Sequence, residues 1–118
     1  MTGIGGVFLR AGDPAALAAW YAQHLGIAVE EWNGAVFRSA GAETLVWSAF
    51  PADTTYFGRP DQQAMVNYRV SDLDAMIAQL RAAGVVVDDP QTTESGRLAW
   101  ASDPEGNRFE LWQPPSGD

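Results

Sequence analysis

Two strand-like stretches, Gly6–Arg10 with Val7 and Leu9 on one face and Met65–Arg69 with Val66 and Tyr68 on one face, each run into an aspartate, Asp13 or Asp72. After each aspartate the period lengthens. Leu17, Trp20, Tyr21 and Leu25 fall at helical spacing, as do Leu73, Met76, Ile77 and Leu80, which predicts two helices with one apolar face each, packed on a sheet. Asp13 and Asp72 suit the N-cap, and Pro14 suits the first helical position. Gly26 and Gly84 suit the left-handed residue that ends each helix.

The two segments are copies. "GVFLRAGDPAALAAWYAQHLGIAVEE" from Gly6 aligns with "MVNYRVSDLDAMIAQLRAAGVVVDD" from Met65, the second copy being one residue shorter. Val7 and Val66, Arg10 and Arg69, Asp13 and Asp72, and Gly26 and Gly84 then correspond. Short strand-like runs follow each helix: "GIAVEEW", "AVFRSA" and "TLVWSAF" in the first half, "GVVVDDP", "RLAWAS" and "RFELWQ" in the second. Each half therefore reads βαβββ. "DPEGN" supplies hairpin turn chemistry before the last strand, and the polar, Pro- and Gly-containing stretch around 51–63 reads as a linker. The boundaries expected within a single domain of 1–118 are module one at 1–50, linker 51–63 and module two at 64–118.

Composition narrows the function. A chain of 118 residues with 47% hydrophobic and 19% charged residues suits one ordered domain. Fifteen acidic against seven basic residues give a net charge of −8, which repels nucleic-acid phosphates and anionic lipid. The absence of cysteine closes disulfides, thiolate metal sites and cysteine nucleophiles. No apolar run reaches the roughly 20 residues of a membrane span and no signal-peptide pattern opens the chain, so a cytoplasmic protein is expected. Phosphate-loop, nucleophile-elbow and dinucleotide motifs are missing too, because "GIGG" near the start has neither the preceding strand nor the spacing.

The paired βαβββ pattern, the repeated strand-to-helix junction and the ending "DPEGNRFELWQP" resemble the vicinal oxygen chelate superfamily, which includes glyoxalase I, extradiol dioxygenases and bleomycin-resistance proteins. The resemblance covers nearly the whole chain. It implies an α+β fold in which two βαβββ modules form a cupped, partly open eight-stranded β-barrel, with the ligand in the cup. It also implies four metal-ligand slots, usually His on the first strand of each module and Glu on the last. Here those slots hold Gly6, Met65, Val46 (aligned from "TLVWSAF" on "RFELWQP") and Glu110, so one ligand of four remains. The sole histidine, His24, reads as a solvated helix residue.

Strand alternation sorts the remaining candidates. Phe8, Arg10, Met65, Asn67, Arg69, Trp100, Glu110 and Trp112 are expected on the inner face, with Val46 and Ser48 completing module one. Such a lining suits a small organic ligand. Glu110 could be a structural hydrogen-bonding group, a proton-transfer base or a cation binder; Arg10 and Arg69 could read a carboxylate or pair locally with Asp13 and Asp72. The expected function is small-molecule binding of the glyoxalase and bleomycin-resistance type, as a homodimer without cofactor or metal. The alternative is a metal-dependent lyase, isomerase or dioxygenase in which Glu43, Asp53 or Glu94 joins Glu110.

Overall fold

A computed structural model describes residues 1–38 and 44–115. The fold is α+β, with seven strands of a mixed sheet and two helices in the order β1 (Gly3–Ala11), α1 (Pro14–Leu25), β2 (Gly34–Arg38), β3 (Thr44–Pro51), β4 (Ala64–Arg69), α2 (Leu73–Ala82), β5 (Gln91–Thr93), β6 (Gly96–Ser102) and β7 (Arg108–Gln113). The chain divides into two compact units, Gly6–Met65 and Met1–Gly5 with Val66–Asp118. Among the described residues no helix is long and apolar enough to cross a membrane.

In the first unit the strand order is β2-β3-β1. β3 runs antiparallel to β2 and parallel to β1, with Gly6 opposite Val46 and Phe8 opposite Ser48. The helix begins as its sequence dictates: the Asp13 carboxylate accepts from the Ala16 N–H at 3.0 Å, Pro14 follows, and Gly26 closes the last turn at φ 72°. Its packing face is narrower than the apolar spacing predicts. Ala18 is buried and Tyr21 rests on Trp47, ring centroids 4.9 Å apart, whereas Trp20 is 51% and Leu25 64% exposed. Trp20 lies about 200° around the helix from Ala18 and so points away from the sheet, and Leu25 shares the inner face only at the end of the final turn.

The expected linker is folded around one side chain. Arg10 donates from Nε to the Gln62 carbonyl at 3.0 Å, from one terminal nitrogen to Ala52 at 2.6 Å and Thr54 at 3.0 Å, and from the other to Arg59 at 3.1 Å. Its guanidinium also lies 5.2 Å from the ring centre of the fully buried Phe57. A fixed cation thus ties together carbonyls spread over an irregular stretch of backbone.

In the second unit the order is β4-β7-β6-β5. β4 and β7 are parallel, while β6 runs antiparallel to both β7 and β5. Asp72 caps α2 through the Ala75 N–H at 3.0 Å, and Gln113 Oε1 accepts from the Leu73 N–H at 2.8 Å, tying the helix start to β7. The core beneath α2 gathers Val70, Leu73, Ile77, Ala99 and Leu111, flanked by Tyr68 and Phe109. Alternate residues of β4 and β7 thereby occupy one face, leaving Asn67, Arg69, Glu110 and Trp112 for the other.

Two expected strands do not form and one unexpected strand does, so the described residues carry seven strands and not eight. "GIAVEEW" folds back instead: the Glu30 N–H bonds the Gly34 carbonyl at 2.7 Å, the Asn33 N–H bonds Glu30 at 3.1 Å, and Asn33 adopts φ 63°. "GVVVDDP" makes a single bridge, Val87 to Ala101, and β5 forms after it on residues the alternation passed over. The end of "AVFRSA" and Glu43 lie outside the described residues.

The "DPEGN" turn closes on Asp103. One carboxylate oxygen accepts from the Glu105 and Asn107 N–H groups, both at 2.9 Å, and the other from Asn107 Nδ2 at 3.0 Å. The Asn107 side-chain bond above all, helped by the backbone donors, holds the Asp103 carboxyl below the ordinary aspartate value. A depressed folded-state pKa stabilises the fold above the unfolded aspartate value, and that contribution is lost as pH falls through the folded one. Denaturation of Asp103→Ala is therefore expected to show its deficit against the parent chain at pH 7, shrinking below about pH 4; a deficit growing in acid would contradict this.

Candidate functional site

The face of the second unit turned away from α2 is built around a carboxylate. Glu110 lies on β7 between its cross-strand partners Asn67 on β4 and Trp100 on β6. It is 3% exposed, and its two oxygens are taken by different donors: Oε1 accepts from Asn67 Nδ2 at 2.5 Å and Oε2 from Trp100 Nε1 at 2.9 Å. A buried carboxylate is tolerable only with such donors, because burial removes its hydration. The pairing also fixes the donor side chains across three strands.

Asn67, itself 3% exposed, keeps one polar atom without a partner, the acceptor Oδ1. That atom lies over Gly5. A Cβ at position 5 would come within 2.2 Å of Oδ1 and 2.7 Å of Trp112 Cε3. Gly5 is thus part of the site, a role that the run "GIGG" hides because nothing in the local pattern asks for a glycine there. Beside it the Arg69 guanidinium stacks 4.7 Å from the centre of the Trp112 ring, whose Nε1 donates to the Ser95 carbonyl at 2.7 Å.

The candidate residues divide between the units. Asn67, Arg69, Trp100, Glu110 and Trp112 belong to the second, where the first, third and fourth are directly bonded. Phe8, Arg10 and Met65 belong to the first: Phe8 packs against Phe50 at 5.2 Å between ring centroids, Met65 is fully buried, and Arg10 holds the 52–62 carbonyls. Asp13, the local partner considered for Arg10, caps its own helix.

Register revises one slot. Phe8 and Asn67 are repeat partners, and they stand opposite Ser48 and Glu110, so Ser48 and not Val46 corresponds to Glu110. Aligning the strands by their apolar letters misplaces this by two residues, a shift that preserves the face and so escapes period-two reasoning. Ser48 is buried but supplies a hydroxyl where the superfamily has a carboxylate. Gly6 and Met65 offer no hard donor, both Glu110 oxygens already accept N–H groups, and no three His, Cys, Asp or Glu among the described residues are grouped to hold a metal ion. The donor set does not fit a divalent cation. Asp53 and Glu94 are exposed, and Glu43 lies outside the described residues.

The α+β chain of a seven-stranded mixed sheet and two helices, with the matches that follow, is a protein of the vicinal oxygen chelate class. Residues 6–112 match the family model of the Glyoxalase-like domain, and the chain belongs to that family. It is similar in fold to methylmalonyl-CoA epimerase from Mycobacterium tuberculosis, at 22% identity over 97% of this chain and 89% of that one, TM-score 0.69. A Streptomyces coelicolor methylmalonyl-CoA epimerase in complex with 2-nitronate-propionyl-CoA is 18% identical over 100% and 98%, TM-score 0.73. A glyoxalase/bleomycin resistance protein/dioxygenase superfamily member from Vibrio splendidus 12B01 is 11% identical over 91% and 95%, TM-score 0.60. No curated protein matches the chain.

Replacing Glu110 separates charge from hydrogen bonding. Glu110→Ala leaves the Trp100 and Asn67 donors buried without their acceptor and is expected to lower stability by about 3 kcal/mol in urea denaturation. Glu110→Gln keeps an acceptor for Trp100 and is expected to lose less than half as much; equal losses would show that the hydrogen bonds are not what Glu110 contributes.

Proposed function

We propose that this chain binds a small organic ligand without a divalent metal, through the Asn67, Trp100, Glu110 and Trp112 cluster. The observation that carries the reading is the unpartnered Asn67 Oδ1 beside a buried carboxylate. An acceptor left unmatched in a protein interior costs about 1–3 kcal/mol, and a ligand N–H or O–H that reaches it would supply the missing donor. Trp100 and Trp112 flank the cluster with Arg108 and Arg69 over their rings, so the ligand class proposed is a small aromatic or amphipathic molecule bearing a donor group. Support for an organic ligand also comes from the fold neighbours, one of which is a methylmalonyl-CoA epimerase in complex with methylmalonyl-CoA. That similarity, at 18% identity, speaks to the fold, and the ligand chemistry here rests on the residues.

Glu110 is the group that would carry any proton transfer, but both its oxygens hold neighbouring side chains, which favours a binding and orienting role. Fluorescence titration against aromatic and amphipathic amines, alcohols and amides is expected to give saturable quenching that Asn67→Leu weakens about tenfold. Elemental analysis of protein purified without chelators decides the metal alternative. Less than about 0.1 metal per chain is expected, and stoichiometric Ni, Zn, Mn or Fe that disappears in Glu110→Gln would establish the metal-dependent reading instead.

We infer further that the chain forms a homodimer through β2. This strand ends the order β2-β3-β1, and its Val36 and Phe37 are exposed. Unpaired edge groups flanked by apolar side chains favour pairing with a second copy about a two-fold axis. Sedimentation is expected to give a dimer that Val36→Lys shifts to monomer; a parent chain that sediments as a monomer, or a dimer indifferent to Val36→Lys, refutes this interface.

A further inference from the structure

We infer that the first unit carries a second binding site, for an organic cation with an aromatic or alkyl face, in the groove between the end of β1 and the first turns of α1. An open cavity of about 600 Å³ lies there, walled by Gly12, Asp13, Leu17, Trp20, Tyr21 and Gln63. It shares no residue with the Asn67–Glu110 cluster and does not depend on the function proposed for that cluster.

Trp20 supplies the first reason. An indole placed about 200° from the packed side of α1 is half exposed, and the fold recovers little burial energy from it. It is nevertheless ordered by aromatic neighbours, Tyr21 edge-on at 5.2 Å and His24 at 4.7 Å between ring centroids. An oriented, solvent-facing indole is the strongest side-chain partner for a cation.

Charge supplies the second. Two ionic side chains line the groove, Arg10 and Asp13. The Arg10 guanidinium already donates to the carbonyls of Ala52, Thr54, Arg59 and Gln62. Asp13 gives Oδ1 to the Ala16 N–H, leaving Oδ2 available at the groove. Gln63 donates its Nε2 to the Arg10 carbonyl at 2.7 Å, so its side-chain oxygen is the acceptor left to a ligand. The groove thus presents the Asp13 carboxylate and the Gln63 side-chain oxygen as acceptors beside an aromatic face, on a chain of net charge −8.

Two-dimensional NMR titration tests the site with benzyltrimethylammonium as probe and phenylacetate as its anionic counterpart. The cation is expected to shift the Trp20 indole N–H and the Ala16–Tyr21 amides saturably, with phenylacetate at least about threefold weaker. Trp20→Ala is expected to abolish saturation, while Asp13→Asn, which preserves the helix cap, weakens binding about two- to fivefold. Equal binding of phenylacetate, saturation that survives Trp20→Ala, shifts confined to the Trp100 and Trp112 indoles, or Trp20 shifts that follow protein concentration without probe would each overturn the proposal. The last of these would assign the groove to a second copy of the chain.

Discussion

The buried carboxylate of Glu110 organises the second unit. Placed in a strand interior, it requires donors from both neighbouring strands, and Asn67 and Trp100 provide them on opposite sides of β7. Register follows from that demand. A slip of β4 or β6 by one residue would turn a donor to the far face and leave the carboxylate buried without it. The same demand constrains Gly5, whose missing side chain makes room for the Asn67 amide, and it leaves Oδ1 as a buried side-chain acceptor without a partner.

The two copies of the repeat use the same positions for different physics. Phe8 stands where Asn67 does and Ser48 where Glu110 does, so the first unit has an aromatic and a hydroxyl where the second has a polar pair. Arg10 and Arg69 correspond in sequence as well. Arg10 organises the irregular segment after β3 by binding its carbonyls, whereas Arg69 stacks on Trp112. In the first unit these positions therefore hold structure, and in the second they concentrate polar chemistry.

Helix packing separates the copies further. α2 buries Leu73 and Ile77 in a cluster of branched side chains, while α1 meets its sheet through Ala18 and Tyr21 and leaves Trp20 outside. The beginning of α1 is flanked by open space, and that space is the groove lined by Asp13 and Trp20.

By itself the sequence determined the helices, their caps, the duplicated strand–helix unit and the sorting of Asn67, Glu110 and Trp112 to one face, because period and capping chemistry are local. It also exposed the loss of hard ligands at Gly6 and Met65, which is a matter of side-chain type. Only tertiary structure decided the rest. Strand count depended on whether "GIAVEEW" and "GVVVDDP" found partners, and register, not letters, identified Ser48 as the counterpart of Glu110. The placement of Arg10 under distant carbonyls, of Gly5 under Asn67 and of Trp20 in the open likewise followed from contacts between residues far apart in the chain or from the angle at which a helix meets its sheet. Neither quantity is carried by a period of two or 3.6 residues.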